Sequence, residues 1–196
     1  TVKWFNYYGY HNYKQGESWR PNGGYKLHNA FAAIGFQPTE KITVRAEYTF
    51  SSYTAQQSGG LTDAQFNNDA KVSLRNRNWF ATQWNILAIT FNYKHSVYHQ
   101  LNVRCWGFIG LRNAVGFLGP ANRMDVETRN RDLIADTYRN AGTQARYIWK
   151  YYIKKSLSTL LVGARFYVGE TRKKQGFANN SSSADFEFVA DSLQSS

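Results

Sequence analysis

Among the residue types in this chain, arginine offers the most chemistry, because its planar guanidinium grips carboxylates and phosphates through paired donors. Arg45, Arg104, Arg146 and Arg165 sit in four stretches of alternating polar and apolar residues, each on the polar side, and Glu47 shares that side with Arg45. Arg75, Arg77, Arg112, Arg123, Arg129 and Arg131 fall in or beside long polar connections. Lys and Arg number 24 against 13 Asp and Glu, a formal net charge of +11. That excess calls for an anionic partner: nucleic acid, an anionic surface or an anionic ligand.

Other reactive residues offer less. His95 and His99 have the HxxxH spacing of a helical metal pair, but they flank a tight turn between strands, so no metal site is expected. No Ser, His or Asp stands in a nucleophile-elbow context, so no catalytic residue and no enzyme activity is expected. Cys105 is the only cysteine, which excludes an internal disulfide and a Cys-rich zinc site. It continues the apolar row Leu101, Val103, Gly107 and Ile109. The glycines of QQSGG (56 to 60) and GFLGP (116 to 120) supply turn conformations and match no phosphate-binding loop, and no cofactor is implied.

The elements that position these residues are strands. KITVRAEYTF (41 to 50) places Ile42, Val44, Ala46, Tyr48 and Phe50 on one face and Thr43, Arg45, Glu47 and Thr49 on the other. HQLNVRCWGFIGL and STLLVGARFYVGE repeat the pattern. An aromatic share of 17% also favours strands. The spacing predicts strands at about 2 to 12, 24 to 36, 41 to 54, 79 to 94, 99 to 112, 138 to 152 and 158 to 171. Three connections, QPTEK, HSVYH and IKKSLS, are hairpin turns, and they alternate strictly with long polar connections. All long loops therefore lie at one end.

No run of about 18 apolar residues exists, so strands are the only membrane route. Their length exceeds the usual globular value, and the loop asymmetry is that of an outer-membrane barrel. Two aromatic girdles are expected: Phe36, Tyr93, Tyr98, Tyr151 and Tyr152 by the short turns, and Phe50, Tyr53, Trp79, Phe80 and Tyr138 towards the loops. The fold class is all-β: an antiparallel up-and-down transmembrane β-barrel segment of seven to eight strands. The apolar rows then face lipid, and Arg45 and Glu47 face a wet or plugged lumen.

QQSGGLTDAQF (56 to 66), RNRNWFATQWNILAITFNYK (75 to 94), GLRNAVGFLGPANR (110 to 123), NRDLIADTYRNAGTQARY (130 to 147) and LLVGARFYVGETRKKQGFAN (160 to 179) together resemble the barrel of TonB-dependent outer-membrane receptors. The resemblance is greatest to the ferric-citrate receptor type. It implies a 22-stranded barrel in a Gram-negative outer membrane, an N-terminal plug, ferric citrate or another ferric siderophore as ligand, and import driven by the TonB complex. Residues 1–196 then form an incomplete barrel domain, for no plug or closing strand is recognised in them.

On that reading, the loop arginines Arg75, Arg77, Arg112, Arg123, Arg129 and Arg131 are candidates for first contact with an anionic chelate. They also suit lipopolysaccharide phosphates or the neighbouring acids Asp125, Glu127 and Asp132. The lumen set, Arg45, Arg104, Arg146 and Arg165, either guides an anionic ligand or pairs with acids of the plug or with Glu47. Two other readings compete. ADFEFVADSL (184 to 193) as an eighth strand would allow a small closed barrel with a structural or adhesive role. A soluble basic β domain binding nucleic acid would have to cover seven apolar rows, so nucleic acid is not the expected partner.

Overall fold

The computed structural model describes residues 4–195, and Val2 and Lys3, expected in the first strand, lie outside them. Eight strands follow one another: β1 (Phe5–Gly16), β2 (Tyr25–Thr39), β3 (Ile42–Gln56), β4 (Trp79–Lys94), β5 (His99–Gly116), β6 (Arg131–Ile153), β7 (Ser156–Ala178) and β8 (Ala190–Ser195). They form one antiparallel up-and-down sheet in sequence order, the wall of a β-barrel. β1 and β8 are its two ends, and among the described residues no pairing joins them. The closed eight-stranded barrel is therefore not formed by these residues. β8 pairs only with Lys173–Phe177 of β7, so the eighth strand is a short flap and not a closing wall.

The turns obey the sequence. β2 and β3 meet through Glu40 and Lys41, β6 and β7 through Lys154 and Lys155; Lys154 takes φ 57°, while at the first hairpin no φ is positive and the register shifts between Phe36 and Thr39 instead. The long connections are 17–24, 57–78, 117–130 and 179–189, all at the opposite end. The second holds a helix, α1 (Asp63–Asn68), whose Thr62 hydroxyl and Gln65 side chain cap one another's backbone. The T-x-x-Q signature of that capping box is visible in the sequence.

β6 and β7 are 23 residues each, longer at the loop end than expected. Their outward rows are apolar only part of the way: Leu160, Val162, Ala164, Phe166 and Val168 on β7 give way to Glu170, Arg172 and Lys174. The apolar stretch matches the roughly 9 to 11 residues that cross a membrane. Above it the outward positions turn polar, and alternation no longer marks the strand.

Register sorts the side chains onto two faces. Tyr48, Leu87, Gly107, Ala141 and Val168 share one rung, and Ala46, Ile89, Cys105, Thr143 and Phe166 the next. Large residues on this face are exposed: Leu87 50%, Ile109 57%, Val162 55%. The opposite face is concave, for Ala33 and Ala88 at its middle are buried. At the turn end Trp4 packs on Phe36 and Trp149 on Tyr151 on the outward face, whereas register puts Tyr152, near Tyr98, on the concave side. The upper girdle departs from expectation. Register puts Tyr53, Phe80 and Tyr138 on the concave face, and Trp79 is covered by 179–189 through a bond from its indole to the Ser182 carbonyl.

The small hydrophobic core lies at the loop end. Val115, Leu133 and Ala178 are buried there on the outward face, with Trp79, Phe186 and Phe188 packed over them. The 179–189 segment thus folds back over the outside of the sheet.

Candidate functional site: a cationic concave face beneath a clamped loop cap

The concave face gathers the first arginine set. Arg45 pairs with Thr90, Thr90 with Arg104, Arg104 with Gln144 and Gln144 with Arg165, so three of the four arginines stand on one rung. At about 4.8 Å per strand, Arg45 to Arg104 and Arg104 to Arg165 are each about 10 Å. Arg146 is two residues away on β6, with its Nε 2.8 Å from the Gln144 amide. Glu47, on the adjacent rung, accepts from Arg45 Nε at 2.7 Å and lies 3.8 Å from Arg104. Arg165 lies over the Trp106 ring, 5.0 Å from its centroid. One carboxylate faces four guanidiniums, and the excess of positive charge points into the concavity. Side chains of Arg45 and Arg104 are about half exposed, at 43% and 53%, so an anion can reach them.

Nearer the loops, Arg112 donates through Nε to Asp136 at 2.8 Å and makes a second bond to the same oxygen. Asp136 is buried and also accepts from the Tyr138 hydroxyl at 3.3 Å, while Arg112 stays half exposed. The guanidinium is oriented by the acid below it and presents its remaining donors to the concavity.

The loop arginines divide into two kinds. Arg75, Arg77 and Arg131 are buried, at 3%, 3% and 1% exposure. Arg77 holds Asp125 with two bonds of 2.9 and 2.6 Å and donates to the carbonyls of Val126, Glu127, Arg129 and Asn180. Arg131 donates to the carbonyls of Asn179, Ser183, Asp185 and Arg77 and to the side chains of Asn179 and Ser181. Arg75 lies over the Phe117 ring and donates to the Pro120 carbonyl at 2.8 Å. Arg20, absent from the sequence-derived set, completes the pattern by donating to the carbonyls of Ser58, Gly59 and Val72. Together these four side chains tie all four long connections into one cap.

Burial lowers the pKa of Arg75 from its ordinary value, with Asp125 opposing. Arg131 is lowered by burial, raised by Asp185, lowered again by Arg77 and raised by Asp125. Both cations are held in place by carbonyl dipoles and nearby acids. Their donors are spent inside the cap, so they offer nothing to a ligand. Arg123 and Arg129 are exposed and remain accessible, as Arg112 does. Sequence reasoning had no signal for this division, since exposed and buried loop arginines sit in equally polar surroundings.

Two glycines shape the cap. Gly116 has φ 139°, and a Cβ there would stand 2.1 Å from Asn78 Oδ1. That oxygen accepts from the Phe117 N–H while the Asn78 amide donates to the Phe117 carbonyl, a side chain mimicking a strand. Gly59, at φ 74°, leaves room for the Arg75 stem, 2.5 Å from where its Cβ would be. Elsewhere, His95 and His99 lie 3.2 Å and 2.7 Å from the hydroxyls of Tyr93 and Tyr147.

No family model matches the sequence, and no curated protein matches it. In three dimensions the chain is similar to the ferric citrate transporter FecA in its unliganded form, with a TM-score of 0.83 at 18% identity. The similarity covers 100% of this chain and 28% of the transporter's, so the chain spans about a quarter of that length. At such low identity the likeness bears on architecture. The chain has the fold of a stretch of β-barrel wall with its long loops gathered at one end.

Proposed function

We propose that this chain is part of an outer-membrane TonB-dependent receptor that imports ferric citrate or another ferric siderophore. Residues 1–196 belong to its barrel domain, with the plug and the TonB contact supplied by other parts of the receptor. The observation that carries this reading is the pairing of an outward apolar band with a concave rung of Arg45, Arg104 and Arg165, with the hydrogen-bonded long loops gathered at one end. The band suits lipid, and the similarity to a ferric citrate transporter supports the choice of cargo. A ferric chelate of a polycarboxylate is anionic, and guanidinium forks bind carboxylates at modest desolvation cost.

The ligand would meet the exposed Arg123 and Arg129 first, then Arg112, then the lower rung with Arg146 beside it. It passes through unchanged, so the wall guides and does not react. Arg45 and Arg104 also face the plug on this reading, with Glu47 limiting their mutual repulsion when no ligand is present.

The test is uptake of radiolabelled ferric citrate by cells carrying the whole receptor with Arg45, Arg104 and Arg165 changed together to Gln. Each lost charge-assisted bond weakens binding by about 1.5 kcal/mol or more, so the triple change should reduce affinity at least tenfold. Salt dependence of binding should flatten as well. Unchanged uptake and unchanged binding, with normal receptor levels in the outer membrane, would sink the reading.

A further inference from the structure

The outward face carries a groove of about 610 Å³ where β4 to β7 run side by side. Its apolar lining is Leu87, Gly107, Ile109, Ala141 and Val168, and its loop-side end holds Asn85, Arg139 and Glu170. Gly107 opens the floor, since a Cβ added there would come no closer than 4.0 Å to the Asn140 carbonyl oxygen. Along β7 the change from apolar to polar positions falls between Val168 and Glu170, at the level of Arg139. Groove and cation therefore meet at the upper edge of the apolar band.

Arg139 is exposed, and its partner in register, Glu170, bonds instead to Arg172 at 2.7 Å. Among the described residues Arg139 forms no ion pair. Arg139, and one and two rungs above it Arg172 and Lys174, share the outward face with Glu170 as the opposing carboxylate. An apolar slot whose polar end holds more cation than its one carboxylate, already bonded to Arg172, can offset complements a hydrocarbon chain attached to an anion. A soluble anion would have no use for the slot, and an uncharged apolar helix would leave the guanidinium without its counter-charge.

We propose that this groove binds an anionic membrane lipid, one whose phosphate carries no attached cation, with an acyl chain against Gly107 and Ala141 and the phosphate on Arg139. The site rests on the reading that the outward face meets lipid. It adds a specific lipid position to a surface that would otherwise hold lipid at random.

Cys105 gives a reporter one rung below the groove, exposed and 3.2 Å from the Thr143 hydroxyl. The whole receptor, labelled there with a small fluorophore, would be placed in phosphatidylcholine nanodiscs doped with brominated phosphatidic acid or, at equal mole fraction, brominated phosphatidylcholine. Protein with Cys105→Ser supplies the background. Phosphatidic acid should quench several-fold more strongly, and both Arg139→Gln and Gly107→Leu should bring the two lipids to parity. Equal quenching in the unmodified receptor, or a preference that survives Arg139→Gln, overturns the site while leaving the lipid-facing surface in place. A preference lost in Arg139→Gln yet kept in Gly107→Leu reduces the site to surface charge and overturns the groove. If neither lipid quenches, the outward face does not meet lipid, and the site falls together with that reading.

Discussion

Arg77 shows what a single side chain does in this cap. Its guanidinium reaches an acid and four carbonyls, from positions 48 to 103 residues further along the chain. Removing it would leave Asp125, itself nearly buried, without its counter-charge. Breaking a buried pair in this way costs about 3 to 5 kcal/mol. Arg77→Ala should therefore lower the protein's denaturation midpoint and speed tryptic cleavage at Arg123 and Arg129. Arg123→Ala, at an exposed site, should change stability by less than about 0.5 kcal/mol. Equal effects from the two variants would mean that the clamp does not hold the cap together. None of this could be read from the sequence around Arg77, because its acceptors are mostly main-chain carbonyls that any residue supplies. By contrast Arg45, Arg104 and Arg165 were legible, since strand alternation alone puts them on the polar face.

At the scale of the strand, the division of faces is the property to test. Ala46 and Thr49 lie on the same strand, one on the outward rows and one on the concave face. Ala46→Lys should destabilise the barrel by about 2 to 4 kcal/mol, the range for a cation near the middle of a lipid-facing row. Thr49→Lys should stay within about 1 kcal/mol, as for an ordinary surface change. Denaturant titration of both variants in phospholipid vesicles would check this, and a reversed order would exchange the faces. The seven long strands, the tight turns and the inner arginines were readable because period-two patterning is strong inside the apolar band. It fails outside. RDLIADT and RKKQGFA continue β6 and β7 but read as loops, for their outward positions are polar or lie under another segment. The helix α1 was missed although its capping box was in view, since six residues carry no usable periodicity.

For the molecule as a whole, unpaired backbone is the dominant fact. The outer edge of β1 and the edge of β7 from Ser156 to Arg172 face no strand among the described residues. Open edges are not tolerated in lipid and invite pairing with other chains. Residues 1–196 expressed alone should therefore associate in detergent, and light scattering after size exclusion should give a mass several times that of one chain. A monodisperse monomer would show that the edges find partners within the chain. The clamps of the cap suggest a different kind of freedom. Arg20, Arg75, Arg77 and Arg131 hold the loops mostly through carbonyl oxygens, which do not change when a side chain does. Exposed loop positions such as Arg123, Met124 and Val126 can then vary while the cap keeps its shape. Surface identity and surface architecture are thereby uncoupled, and a lineage can alter what the loops present without rebuilding the strands that carry them.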